Sequence, residues 1–199
     1  MTRSSQRRSE ILAHAGQVAT HVGLEGLTIG RLADDLRMSK SGLFAHFRSK
    51  EELQLHTVES ERTRFIELVV RPVLAEPGGK ARVQAVFDRW LAWRASRPGG
   101  CFFAAASFEL DDRPGPVRDL LARVQREWLD SLARIAGSAV SHGWFRASLD
   151  PDTWAWEFYG LMLSYHLAEQ LLRDPGALRR VRLAFEELVA RSRPAGSST

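Results

Sequence analysis

The sequence of 199 residues contains a single cysteine, Cys101, which excludes an internal disulfide and a cysteine-rich metal site. It also lacks an apolar run of the roughly 20 residues that a membrane-spanning helix requires. No apolar stretch follows the N-terminal charges to form a secretory signal. Alternating strand patterns and hairpin signals are missing as well. We therefore expect a cytoplasmic protein with no membrane segment and no β-sheet.

What the sequence does contain is helical periodicity along nearly its whole length. Ile11, Ala15, Val18, Ala19 and Val22, for example, recur at the spacing that places side chains on one face of a helix. Hydrophobic residues make up 44% of the chain and charged residues 26%, which is typical of a globular protein. The pattern predicts an all-α fold of about nine helices.

Charge is distributed unevenly along the chain. Residues 1–50 hold eight basic and four acidic side chains, whereas residues 51–199 hold 20 of each. The whole excess of positive charge therefore lies in the first quarter, the part expected to meet a polyanion. All six tryptophans lie beyond residue 89, which indicates that the two parts have different tasks.

Capping residues and helix breakers predict the domain organisation. Thr28 and Ser39 are placed to cap two short helices, and Ser49 with Glu52 forms a capping box that opens a fourth helix, running from about Lys50 to Leu74. Three short helices with a tight second turn and local basic charge indicate a helix-turn-helix. We predict such a DNA-binding domain over residues 1–55, a larger all-helical body over 56–192, and a flexible tail over 193–199.

The predicted DNA-binding domain over residues 1–55, called the head below, resembles a known family. The stretches Ile11–Ala13, Leu27–Ala33 and Met38–Leu53, the last ending in His46-Phe47-Arg48-Ser49-Lys50-Glu51-Glu52-Leu53, strongly resemble the N-terminal domain of the TetR family of transcriptional regulators. The resemblance implies a ligand-responsive regulator, a repressor, that binds a palindromic operator as a homodimer. It also implies that the last two helices form the dimer interface and that operator is released when a small effector binds. No enzyme motif, metal-ligand spacing or cofactor-binding loop is present, so we expect no enzymatic activity, no metal and no cofactor.

The same resemblance implies which residues of the head contact DNA. Thr28 caps its helix and bonds a phosphate, or serves as a cap alone, and Lys40 reaches guanine acceptors or a phosphate. Arg3, Arg7 and Arg8 follow phosphates, occupy a minor groove or form a disordered tail. The implied DNA-binding residues are Thr28, Arg37, Ser39, Lys40, Ser41, Gly42, Phe44, His46 and Lys50.

Three positions depart from the usual pattern of the family. Phe44 replaces the commoner tyrosine, so its ring can pack but has no phenol for a phosphate. Arg37-Met38 replaces the common Gly-Val in the turn, which puts the detailed geometry of the turn in question. Gly42 replaces a residue that often carries a side chain, so only backbone can approach the bases there. These changes predict modest direct readout of base sequence.

Aromatic residues from several helices of the body are candidates for an effector pocket, although aromatics at helical spacing are also what a plain core contains. They favour an apolar or aromatic effector, and Glu109 and His166 are the polar candidates. The set is Trp90, Trp93, Phe102, Phe103, Phe108, Glu109, Trp128, Trp154, Phe158, Tyr165 and His166. The alternative function is a helical ligand-binding or dimeric interaction protein whose head contacts protein rather than DNA.

Overall fold

The computed structural model describes residues 3–97 and 99–196, with side chains from residue 5 onward. Within these residues the chain forms nine helices and no strand, which confirms the predicted all-α fold. None of the described helices is both long enough and apolar enough to span a bilayer. The helices are α1 (Arg3–Val22), α2 (Ile29–Asp35), α3 (Lys40–Phe44), α4 (from Lys50), α5 (Lys80–Ala95), α6 (Phe102–Leu110), α7 (Pro116–Ser141), α8 (Pro151–Gln170) and α9 (Ala177–Ser192).

Helix α4 has three consecutive segments: an α-helical one, Lys50–Phe65, a π-helical turn, Ile66–Val70, and a short α-helical end, Arg71–Ala75. The prediction of one regular helix to Leu74 missed the π turn. Proline explains it: Pro72 has no N–H to donate to the carbonyl four residues earlier, and its ring crowds that carbonyl. A wider turn just before the proline relieves the conflict.

Side-chain caps hold the short helices of the head where the sequence predicts them. The Thr28 hydroxyl accepts from the Arg31 N–H at 3.2 Å, and the Ser49 hydroxyl accepts from the Glu52 N–H at 3.0 Å. The Glu52 carboxylate in turn accepts from the N–H of Arg48, one residue before the cap, at 2.8 Å. These bonds satisfy backbone donors that a helix start otherwise leaves unpaired.

The N-terminal basic residues belong to α1 rather than to a disordered tail, so that alternative is wrong for the described ones. Arg7 pairs with Glu10 at 3.2 Å. The Arg8 guanidinium lies 4.9 Å from the centre of the Phe47 ring, a cation–π contact that fixes the start of the helix to the core of the head. The side chain of Arg3 lies outside the described residues.

The chain divides into two compact units, and the first comprises Met1–Ile66 with Arg94–Val124. Its core is formed by α1 packed against α4, α2 against α3, and α1 against α6. Of the five residues that the sequence pattern places on one face of α1, Ile11, Ala15 and Ala19 are buried, whereas Val18 and Val22 are half-buried. The fully or nearly fully buried apolar residues of this unit also include Leu24, Leu27, Leu32, Leu43, Phe47, Leu53 and Val58.

A buried ion pair lies in the first unit. Arg97 Nη1 is 2.7 Å from Glu61 Oε2, and the two side chains are 5% and 0% exposed. Gly16 of α1 makes room for it, because a Cβ there would lie 2.2 Å from Glu61 Oε1. Burial raises the pKa of the Glu61 carboxyl, and the charges of Arg97 and Arg64 oppose that rise. The pair therefore ties α4 to the segment after α5, and α1 packs closely against it at Gly16.

The second unit comprises Glu67–Trp93 with Gln125–Thr199. Helices α8 and α9 pack against each other, and their core is a set of aromatic rings. Phe87 and Phe185 stack with centroids 4.1 Å apart, and Phe158 meets both rings edge-on. Asp150 caps α8 by accepting from the Thr153 N–H at 3.1 Å. The predicted start of α8 at Pro151 is confirmed.

Candidate nucleic-acid interface

Helix α3 begins with a serine cap that uses two of the predicted DNA-binding residues. The Ser39 hydroxyl accepts from the Gly42 N–H at 3.0 Å and lies 3.2 Å from the Ser41 hydroxyl. A Cβ at Gly42 would approach the Ser39 oxygen to 3.0 Å, so a side chain there would crowd the cap. Glycine therefore keeps the start of α3 tight and leaves its backbone accessible.

The turn between α2 and α3 keeps its tight geometry despite the replacement of glycine. Arg37 adopts a positive φ of 52°, a conformation that costs a residue with a Cβ about 1 kcal/mol or more. The Met38 N–H donates to the Ala33 carbonyl at 2.9 Å, which closes the turn. The backbone is thus strained at the position where the charge of Arg37 is presented to solvent.

The outer face of α3 is exposed along its length. Lys40 and Ser41 lie in solvent, and the Phe44 ring is 49% exposed. About half of the ring is therefore available for apolar contacts, such as one with a thymine methyl. His46, at the end of the helix, is half-buried, whereas Leu43 on the inner face is fully buried.

Lys50 is engaged in an ion pair. Its Nζ lies 3.0 Å from Glu25 Oε2, and both side chains are 41% exposed. Gln54 donates to the other oxygen of Glu25 at 3.3 Å, and Arg113 Nη1 lies 3.6 Å from Oε2. The hydrogen bond from Lys50 contributes most to lowering the pKa of Glu25, so this carboxylate is ionised at neutral pH.

Glu109 holds the turn between α1 and α2 from α6. Its carboxylate accepts from the Leu24 N–H at 2.7 Å and from the Glu25 N–H at 2.9 Å. Gly23, with φ of 75°, lies directly against it, because a Cβ there would come within 2.4 Å of Glu109 Oε1. Sequence reasoning missed this contact because Leu24 and Glu25 lie 85 and 84 residues before Glu109, and no local pattern links them.

The remaining effector candidates are divided between the two units. Phe102 and Phe103 are buried in the first unit, and Phe108 is exposed. The Phe103 ring packs edge-on against the Phe65 ring, with the ring centroids 5.8 Å apart. In the second unit the centroid of the Trp90 ring lies 5.6 Å from that of Tyr165 and 6.5 Å from that of Phe158. Trp93, Trp128 and Trp154 are buried there too, and His166 is half-buried.

Tight ring packing of this kind is compatible with a core and with a pocket wall, so the effector role of these residues stays a prediction. Between residues 3–97 and 99–196, no three metal-ligating side chains are grouped as a metal site requires.

Two family models match the chain. Residues 11–56 match the model described as "Bacterial regulatory proteins, tetR family". Residues 79–185, more than half of the chain, match "Tetracyclin repressor-like, C-terminal domain". Together they cover both the helix-turn-helix and the body.

Individual proteins agree with the models. The HTH-type transcriptional repressor AcnR of Corynebacterium diphtheriae is 33% identical over 93 residues, which are 47% of this chain. The match spans 49% of that relative, so about half the length of the curated protein is compared. A TetR-family regulator from Cytophaga hutchinsonii has the same fold, with a TM-score of 0.85 at 19% identity over 97% of this chain and 98% of that one.

A second similar structure was solved with its ligands. AibR in complex with isovaleryl coenzyme A and operator DNA superposes with a TM-score of 0.67 at 20% identity, covering 93% of this chain and 97% of that chain. At this identity the likeness shows the fold.

Proposed function

The chain belongs to the TetR family of transcriptional regulators, and from that premise we propose that it is a repressor that binds a palindromic operator as a homodimer. A small apolar or aromatic effector releases it. The observation that carries the DNA-binding part is the outer face of α3, where Lys40, Ser41 and Phe44 are exposed beside the positively charged turn at Arg37. An exposed short helix with cations at its start fits the major groove.

The proposed contacts divide into two kinds. Phosphate contacts fix the position of the head on the duplex. We assign them to residues that precede or follow α3 in the chain, namely Thr28, Arg37, His46 and Lys50. The cap of α3, Ser39, and the residues of α3 itself, Lys40–Phe44, are assigned to the floor of the groove. Because Gly42 offers only backbone and Phe44 only an apolar ring, most of the affinity comes from phosphates and the sequence readout is modest.

Loss of one phosphate contact tests this division. Lys50→Ala should weaken binding to all duplex sequences alike and reduce the slope of log K against log salt by about one, because one fewer counterion is released. The measurement is fluorescence anisotropy with a duplex selected by the protein and with an unrelated duplex, over a salt series. Equal binding by the variant, or a loss confined to the selected sequence, would contradict the phosphate assignment.

Apolar side chains exposed on the last two helices and on the turn between them support the homodimer. Trp156 in α8 and Leu171, just after it, are 71% and 72% exposed, and large exposed apolar surfaces mark sites of contact with another protein chain. Leu167, Leu172, Leu178 and Leu183 are exposed as well. A second copy would cover them by pairing its own α8 and α9. Sedimentation as a monomer at micromolar concentration would refute the dimer.

The proposed effector is apolar or aromatic because the candidate residues are almost all aromatic. AibR, which shares the fold, binds isovaleryl coenzyme A, a ligand with a short apolar group. The effector acts by binding more tightly to a conformation in which the two heads no longer match the half-sites, so its action is bounded by that difference in affinity. We assign the change in head separation to a tilt of α4.

A further inference from the structure

The ammonium group of Lys50 has two anionic partners available when DNA is bound. In the free protein it lies 3.0 Å from the Glu25 carboxylate, and in the proposed complex it contacts a phosphate. A carboxylate and a phosphate present the same kind of anionic oxygen to a lysine, which binds either as a point charge. The Glu25 carboxylate therefore binds the same group of Lys50 that a phosphate oxygen would bind.

Glu25 is held in that place by its own backbone and by its neighbours. Its N–H donates to Glu109 at 2.9 Å, and Gln54 donates both to its carboxylate at 3.3 Å and to the adjacent Leu24 carbonyl at 2.7 Å. The backbone of Glu25 therefore cannot move away from α4 without breaking several hydrogen bonds, so the carboxylate remains near Lys50 as DNA approaches.

We propose that Glu25 is an intramolecular competitor of operator phosphate for Lys50, positioned by the hydrogen bonds that its own N–H and the Leu24 N–H donate to Glu109. This inference rests on the proposed function, because it needs Lys50 to contact DNA. It adds that the head is built to bind DNA less tightly than its basic residues allow. Since Glu109 belongs to α6, the strength of this competition depends on a helix outside the helix-turn-helix itself.

The exposure of the Lys50–Glu25 pair limits how strongly Glu25 can compete with phosphate. The pair is partly exposed, and half-exposed ion pairs are worth about 0.2–1 kcal/mol. Removing the Glu25 charge should therefore tighten binding to any duplex by about 1.4- to fivefold at moderate salt. The gain should shrink as salt rises, because screening weakens both the pair and the phosphate contact.

The test is a double-mutant cycle on the full-length protein. Affinities of wild type, Glu25→Gln, Lys50→Ala and the double variant are measured for a selected duplex and for a random-sequence duplex. We expect Glu25→Gln to tighten binding and the gain to disappear when Lys50 is alanine. Glu25→Asp keeps the charge but withdraws the carboxylate by one methylene, and should tighten binding by a smaller factor.

The matched control is Glu51→Gln, which removes one negative charge from an exposed residue of the same helical turn. Its effect should be the same with Lys50 or alanine at position 50. An equal gain from Glu25→Gln in both backgrounds would reduce the effect to net charge and overturn the inference. So would unchanged or weaker binding by a folded Glu25→Gln protein while Lys50→Ala still loses affinity.

The inference and the proposed function fail in different ways. If wild type binds no duplex, the function is wrong and the competitor role falls with it. If Lys50→Ala binds like wild type, Lys50 is no phosphate contact and the competitor role is overturned, although DNA binding by the head stands. Circular dichroism melting of each variant establishes that a change in affinity is not a loss of folding.

Discussion

Arg97→Met should destabilise the first unit in a pH-dependent way. The substitution keeps most of the side-chain volume and removes the guanidinium that lies 2.7 Å from the Glu61 carboxylate. Because Glu61 is fully buried, its charge would lose its ion-pair partner and keep only the weaker effect of the Arg64 charge. Breaking a buried pair in this manner costs about 3–5 kcal/mol, which for a chain of this size lowers Tm by about 6–20 °C.

The dependence on pH follows from the direction of the pKa shift. Burial already raises the pKa of Glu61 above its ordinary value, and the loss of Arg97 raises it further. Stability linked to the protonated carboxyl is fully present below the ordinary value of about 4.3 and is lost as pH rises through the raised value. The defect of Arg97→Met should therefore be small near pH 4 and grow toward neutrality.

The assay is circular dichroism melting between pH 4 and pH 8, recorded together with tryptophan fluorescence. All six tryptophans belong to the second unit, so the fluorescence reports that unit and the dichroism reports both. The double variant Arg97→Met with Glu61→Gln has no buried acid and should lose the pH dependence. A neutral-pH Tm like that of wild type, or a defect of the same size at every pH, would refute this reasoning.

Two further substitutions test the contacts of the head. Glu109→Ala should lower the free energy of unfolding in urea by about 1–3 kcal/mol, because the N–H groups of buried Leu24 and of Glu25 lose their acceptor. Glu109→Gln keeps an acceptor oxygen and should lower the free energy of unfolding by less. Equal stability of wild type and both variants would exclude a stabilising role for these two hydrogen bonds. Arg37→Gly should stabilise the protein by about 0.5–1 kcal/mol by relieving the positive φ, while weakening DNA binding through the lost charge. If the stability and the DNA affinity of Arg37→Gly both rise or both fall, backbone strain and charge do not act separately at this position.

Local sequence rules predicted the parts of the fold that depend on neighbours in the chain. Thr28, Ser39 and Ser49 cap the helices expected of them, and Gly23 ends α1 with the positive φ that glycine permits. Each of these features is set within three or four residues, where hydrogen-bonding capacity and backbone freedom leave few choices.

Features that depend on distant residues or on competing local effects were not predictable in the same way. The Glu109 clamp joins α6 to a turn 85 residues earlier, and the partner of Lys50 is 25 residues away. The π turn in α4 arises where the helical preference of the segment meets a proline. Aromatic spacing predicted buried rings but could not separate a core from a pocket, because both need the same side chains.

DNA binding by a twofold pair of heads can be measured by selecting DNA from a random-sequence library with the purified wild-type protein. We expect enrichment of two inverted half-sites whose centres are about 34–36 Å apart, one helical turn of duplex, as such a pair requires. Enrichment of a single half-site would contradict the dimeric arrangement. No affinity for any duplex, even at low salt, would contradict DNA binding by the head.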